Sequence, residues 1–278
     1  MAHPFPLTDG DAGHRQSAVT RNVRTVGTVA LRELIRLRRM PTRVVGSFAQ
    51  PVLFLLVLGA GLAPLVGDEG IGGVSYQEFI FPGVLAMSVI TSALFSAIAI
   101  VWDREFGFMR EMLVAPVSRG ALVLGKAVGG GSVAVAQGIV LIVLAPLVGV
   151  DLTPLRVLGL LGALLLLAFA MTALGIVVAS RMRRMESFQM VMALVLQPMI
   201  FLSGAIFPLD QLPRWLAIPC RLNPATYGVD LARRALLGEE QALTIAHHVV
   251  PIWADVAILL AFGAVLLGVA TRLFGQAE

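Results

Sequence analysis

The first chemistry the residues offer is phosphate binding. Gly120-Ala-Leu-Val-Leu-Gly125-Lys126-Ala127 fits the G-x-x-x-x-G-K half of a nucleotide-cradling loop. Such a loop needs a Ser or Thr after the lysine to hold magnesium, with a strand before it and a helix after it in a soluble sheet. Ala127 stands at the hydroxyl position, and the segment runs on into a long apolar stretch. No nucleotide site is therefore expected here, and Lys126 reads as an anchor of that stretch at a membrane interface. Other chemistries are poorer still. H-E-x-x-H, G-x-S-x-G and clustered histidines with carboxylates are absent from the sequence, which removes metalloprotease and hydrolase readings. His3 and His14 have no cysteine or carboxylate company and read as solvated rather than metal-binding. Cys220 is the single cysteine, so no intrachain disulfide forms. The middles of the long apolar runs hold no ionisable side chain, and Asp255 lies near the end of its run, so a proton relay lacks its working groups. Gln50, Gln137 and Gln197 are the most polar residues in those middles and read as hydrogen-bonding groups between helices.

What remains is a charged stretch, DREFGFMREMLVAPVSRG from Asp103 to Gly120, wedged between two apolar runs. Its residues suit a short helix. Phe106, Phe108, Met109 and Leu113 supply an apolar face that is costly to leave in water, and Arg104, Glu105, Arg110 and Glu111 orient it. Pro116 stops the helix, and Arg119 marks the return to apolar sequence. The pattern is that of a surface made for a partner to grip.

The elements that must position this loop are membrane spans. The chain of 278 residues is 58% hydrophobic and 14% charged, with a mean hydropathy of +0.87. Soluble domains carry about 25% charged residues, and a shortfall spread over long runs makes lipid the solvent. The pI of about 10.2 then reflects arginines gathered in loops on one side of the membrane, not nucleic-acid binding. The fold class expected is an all-α integral membrane protein with six transmembrane helices.

Residues 1–20 read as a mobile tail, residues 21–43 as an interfacial helix, and residues 44–278 as the six-span domain. In the second segment Val23, Val26, Ala30, Leu34 and Leu37 recur at helical steps among arginines, the pattern of a basic amphipathic helix lying among anionic head groups. Pro41 is expected to end it. The spans are expected at Val44–Val66, Phe79–Val101, Leu122–Val148, Val157–Ser180, Phe188–Phe207 and Val249–Thr271. The small residues Gly125, Gly129, Gly130, Gly131 and Ser132 open the third span and invite close helix packing. Glu186 reads as a local ion partner of Arg183 and Arg184. Pro208–Pro219 reads as short helices at or dipping into the interface, where Trp215 is well placed. Residues 221–250 read as polar and partly helical around Tyr227–Leu237.

With six spans and the amino terminus inside, sixteen of the twenty-one basic residues fall on the inner side and five on the outer. The positive-inside rule thus places both termini and the Asp103–Gly120 loop in the cytoplasm.

Three stretches carry a resemblance. They are Glu78–Gly130 (EFIFPGVLAMSVITSALFSAIAIVWDREFGFMREMLVAPVSRGALVLGKAVGG), Phe201–Gly238 (FLSGAIFPLDQLPRWLAIPCRLNPATYGVDLARRALLG) and the basic helix entering the first span. Together they resemble the type-2 membrane permease subunits of ATP-binding-cassette exporters, most closely the daunorubicin-like drug-efflux branch. The resemblance implies six spans, an interfacial amino-terminal helix, a cytoplasmic coupling helix and short external re-entrant helices before the last span. It implies no cofactor in this chain, with ATP and Mg held by a partner ATPase. Two copies of that ATPase would work with this chain and a second permease copy or a sister permease. The family's coupling segment falls on Asp103, Arg104, Glu105, Gly107, Phe108, Arg110, Glu111, Pro116 and Arg119. Its external turn falls on Asn223 and Pro224, followed by Tyr227, Asp230 and Arg233, which would have a structural role. The expected activity is export of a lipophilic drug, antibiotic, polyketide or lipid across the bacterial cytoplasmic membrane, with no enzyme activity and no nucleic-acid partner. The substrate would sit between two copies, against walls from spans one, two and five. A polysaccharide or lipid-linked glycan permease, and a non-transporting scaffold or immunity protein, stand as alternatives.

Overall fold

The structure is a computed structural model and describes residues 27–28, 31, 35, 41–67, 70–71, 73–106, 119–209, 212–239, 243–245 and 248–275. Most of the expected interfacial helix and most of the coupling segment lie outside the described residues. Residues 27, 28, 31 and 35 are helical, and Leu31 and Ile35 are exposed.

Helix α1 spans Pro41–Val66, with Pro51 and Pro64 inside it. Pro41 opens this helix; its locked φ suits a first position whose missing N–H would have no helical partner. Helix α2 spans Tyr76–Ser96 and begins in a capping box: the Ser75 hydroxyl accepts from the Glu78 amide, and the Ser75 amide donates to the Glu78 carboxylate at 2.9 Å. After a break at Ala97 the run continues as α3, Ile98–Glu105. Helix α4 spans Arg119–Ile142 and is followed by a 3-10 turn at Ala145–Val148. Then come α5, Pro154–Arg181, and α6, Met185–Phe201. Two short helices follow, α7 at Arg214–Leu222 and α8 at Pro224–Leu237. A two-residue antiparallel hairpin pairs β1 (Thr244–Ile245) with β2 (His248–Val249), and α9 runs Ile252–Gly275.

The mainly helical architecture is the expected one. Among the described residues four helical segments are long and apolar enough to cross a bilayer: 76–105, 123–142, 154–181 and 252–273. Two apolar stretches are shorter, Ala49–Gly59 within α1 and the 17 residues of α6. At 1.5 Å per residue α6 reaches about 25 Å, short of the ~30 Å hydrocarbon core. The fifth run was expected to continue to Phe207. It stops at Phe201 because Gly204 turns the chain at φ +72°, a conformation no helix contains.

Helix α5 is the centre of the bundle. Leu160, Leu164, Leu167, Met171 and Ile176 are fully buried, and the helix packs against α2, α4, α8 and α9. The small residues expected to let helices approach do so at Gly130, which sits directly on Ser96 of α2 and Thr172 of α5. Helix α6 is peripheral: Phe188, Met192, Leu196 and Ile200, one every four residues, form its buried stripe. Helix α8 covers the stretch expected to be helical around Tyr227–Leu237. Residues 225–234 are buried throughout, packed against α5, α2 and α9, which their polar composition did not suggest. Its small residues allow that insertion, and its charges find partners within it and on its neighbours.

Candidate functional site

The charged loop begins in the last turn of α3, and that turn is fastened to three other helices. Asp103 accepts from the Lys126 ammonium of α4 at 2.8 Å. Lys126 is thereby buried in an ion pair. Arg104 Nη1 donates to the carbonyl oxygens of Ser180 and Met182, at 2.7 and 3.0 Å. These are carbonyls of the last turn and cap of α5, which helix geometry leaves without partners. Glu105 Oε2 accepts from the Met185 amide, the first of α6, at 3.1 Å. Adjacent side chains of opposite charge thus meet adjacent helix ends of opposite polarity. The cation lies at the negative end of α5, and the carboxylate at the positive end of α6. The turn between those helices carries Arg181, Arg183 and Arg184, all exposed. Glu186 forms no ion pair with Arg183 or Arg184 among the described residues; Glu105 is the acid that reaches this turn. Phe106 is 65% exposed, with its ring edge-on to Trp102 at 6.1 Å. Gly107, Phe108, Arg110, Glu111 and Pro116 lie outside the described residues. Arg119 opens α4, and its side chain is likewise outside them.

At the other end of α6 a second set of polar groups closes the start of α8 onto the turn after Phe201. Asn223 caps α8: its Oδ1 accepts from the Ala225 amide at 3.0 Å, and its Nδ2 donates to the Met199 carbonyl at 2.7 Å. Pro224 occupies the first helical position. Thr226 Oγ1 lies 2.6 Å from the Cys220 carbonyl and 3.2 Å from that of Leu202. Tyr227 donates its phenol proton to the Arg221 carbonyl at 2.6 Å. Arg233 donates to the Gly204 carbonyl at 2.7 Å and lies over the Phe79 ring at 4.1 Å. Asn223, Pro224, Tyr227, Asp230 and Arg233 all lie at the start of α8 or along it. Asp230 accepts from the Leu243 amide at 2.7 Å and forms an ion pair with Arg234 at 2.6 Å.

Two members of this second set were missed in the sequence. Arg234 is buried and lies between Asp230, Glu239 at 3.3 Å and Asp255 at 3.6 Å. Asp255 is wholly buried. The i,i+4 spacing of Asp230 and Arg234 was the available signal. Asp255 gave none, because its partner lies on another helix.

A pocket of about 100 Å³ lies between α1, α2 and α6. Gln50, Ser88, Thr91 and Ser92 line one part, and Phe54, Val84, Met87 and Ile200 the apolar remainder. Behind it Ser92 donates to Gln137 of α4, the interhelical contact expected of that glutamine. Gln197 is exposed. Among the described residues no group of three His, Cys, Asp or Glu side chains could hold a metal ion.

Curated proteins similar to this chain include Nodulation protein J of Rhizobium leguminosarum bv. trifolii, 34% identical over 74% of this chain and 78% of that protein. Nodulation protein J of Rhizobium meliloti strain 1021 is 33% identical over 70% of this chain and 74% of its own length. The protein of that name in Bradyrhizobium diazoefficiens is 30% identical over 77% and 84%. A family model described as ABC-2 type transporter matches residues 24–237, a range that takes in the charged loop, the Arg104–Glu105 clamp and the Asn223 cap. With more than half its length inside that match, this chain belongs to the ABC-2 type transporter family.

Proposed function

We propose that the chain is the permease subunit of an ATP-driven exporter, powered through the 103–119 loop by a separate ATPase. Two ATPase copies would act on two permeases, this chain paired with a second copy or a sister chain. One observation carries the reading: the described entrance to the loop is anchored to α4, α5 and α6 at once. A load applied to residues 106–118 would reach most of the bundle without first bending a lone helix. Asp103, Arg104 and Glu105 are the anchoring residues in this scheme. Gly107, Phe108, Arg110, Glu111, Pro116 and Arg119 form the surface offered to the ATPase. The chain itself performs no catalysis, and ATP and Mg reside on the partner. The loop and both termini lie in the cytoplasm of a bacterial cell, as the distribution of arginines supports.

The substrate on this reading is a lipophilic drug, antibiotic, polyketide or lipid, held between two permeases against α1, α2 and α6. The pocket lined by Gln50, Ser88, Thr91 and Ser92 favours a second form of the same reading. Its amide and hydroxyls would suit a substrate with a neutral hydrogen-bonding head, such as a lipid-linked glycan, better than a pure hydrocarbon.

The test is co-purification with the ATPase encoded beside this chain, followed by ATPase assays of the reconstituted complex. Arg110→Ala with Glu111→Ala is expected to cut permease-dependent stimulation of ATP hydrolysis at least tenfold. Unchanged stimulation rejects the coupling role, and labelling of a cysteine at position 111 by an impermeant reagent outside the cell rejects the orientation.

A further inference from the structure

Helix α6 differs from the other long helices in how it is held. Along its length one stripe is buried, Phe188, Met192, Leu196 and Ile200, while Met190 and Leu194 are about three-quarters exposed. At its two ends, by contrast, it is tied by polar bonds whose partners are named side chains. At Met185 the Glu105 carboxylate takes the first amide. At the far end the Met199 and Gly204 carbonyls are met by Asn223 and Arg233, which cap or lie on α8. These carbonyls lie where a helix and its turn run out of internal partners. In an apolar surrounding an unmet carbonyl is expensive, so the bonds resist separation more strongly than the apolar stripe resists sliding.

We infer that α6 acts as a rod, carrying displacement of the Arg104–Glu105 clamp to the α7–α8 segment at the opposite end. Packed helices slide by small steps between discrete arrangements. A helix tied at both ends and packed along one stripe is suited to moving as a body. Glu105, Asn223 and Arg233 are positioning residues in this scheme: none has to touch the substrate. The inference rests on the proposed export reading for the force that moves the clamp.

The experiment uses the full complex with its ATPase in lipid nanodiscs, on a Cys220→Ala background. One reporter cysteine replaces Arg183 in the α5–α6 turn, and another, in a separate sample, replaces Leu222 at the exposed end of α7. Maleimide labelling rates are compared without nucleotide and with ATP plus vanadate. Both reporters are expected to respond to nucleotide. In Asn223→Ser, which keeps a capping oxygen but removes the Nδ2 donor to Met199, the Arg183 reporter keeps its response, while the response at Leu222 shrinks about fivefold, the factor one buried hydrogen bond supplies. Pro224→Ala, which leaves that donor in place, keeps the full response. A full Leu222 response in Asn223→Ser overturns the rod, as does an equal loss in Pro224→Ala. No nucleotide response at the Arg183 reporter in the otherwise native complex overturns the export reading itself, and leaves the rod nothing to carry.

Discussion

Replacing Arg104 by alanine isolates the clamp at the loop's entrance. The side chain makes two charge-assisted bonds, to the Ser180 and Met182 carbonyls at 2.7 and 3.0 Å. A hydrogen bond to a charged group contributes about 1.5–3 kcal/mol when well sequestered. Arg104 is only partly buried, so solvent replaces part of both bonds and the lower end applies. A cation at a helix C-terminus adds to the same sum rather than standing apart from it. About 2 kcal/mol is the expected loss, a factor of about 30 in the folding equilibrium. For a chain of this size that corresponds to a fall in Tm of about 3–4 °C. Thermal unfolding of the purified chain, followed by tryptophan fluorescence, measures it. Arg183→Ala is the control: that side chain is exposed in the same turn, and its loss should fall within about 0.5 kcal/mol of neutral. Arg104→Lys keeps the charge but not the fork and should lose about half as much. The swap of Arg104→Glu with Glu105→Arg keeps net charge while presenting each helix end with the wrong sign, so it should cost more than Arg104→Ala. If the swap melts with the Arg183→Ala control, helix-end electrostatics do not hold this turn and the clamp is wrong.

The opposite end of the molecule gives three further expectations. A Cβ at Gly83 would collide with the Ala205 carbonyl, which as backbone has little room to yield. Gly83→Val should therefore cost about 1–3 kcal/mol in thermal unfolding, and Gly162→Val, at a position with open space around its Cα, should not. Arg234→Ala leaves Asp230 and Asp255 buried without their cation. It should cost about 3–5 kcal/mol, with loss of folded protein on size exclusion, whereas Arg234→Lys should retain part of the stability. Burial pushes the Cys220 thiol above its ordinary pKa and covers its sulfur. Maleimide labelling of Cys220 should then be at least about 100-fold slower than that of an exposed cysteine at pH 7.5 and should rise as pH increases, because the raised pKa leaves little thiolate at neutrality; rapid labelling at neutral pH contradicts the packing of α7.

Hydropathy located each long helix, with ends off by up to six residues at Ile142 and Phe201, because burial in lipid and burial in protein demand the same apolar composition. It erred where a local device overrides composition. Residues 202–207 are as apolar as a span, but Gly204 turns them. Residues 225–234 read as polar because Asp230, Arg233 and Arg234 raise their polarity. The structure buries them, since Arg234 answers Asp230 one turn away and Arg233 answers Gly204 and Phe79. Asn223, Pro224, Tyr227, Asp230 and Arg233 were legible as a group from the family's pattern, although the bonds they make were not. Asp103, Arg104 and Glu105 were legible as charged residues at a loop entrance. That Arg104 and Glu105 face opposite helix ends follows from a tertiary contact between residues about eighty positions apart, to which sequence periodicity is blind.

The placement of charge argues for two working ends joined by an apolar middle. Among the described residues Arg233 and Arg234 lie about a turn from the end of α8 and Asp255 in the first turn of α9, while buried Lys126 and Asp230 lie about two turns in and are paired with Asp103 and Arg234. A charge in the middle of a span would have no chain termini or turns to supply partners and would cost several kcal/mol. At the ends, unmet amides and carbonyls are available and need partners themselves, so a charge there satisfies two deficits at once. The consequence is mechanical as well as energetic. Directional bonds concentrate where helices start and stop, and the lengths between them are held by dispersion and shape. Such a bundle resists twisting at its ends and tolerates sliding along its spans. Among the described helices α6 shows the division most clearly, with one buried side chain per turn between two polar ends.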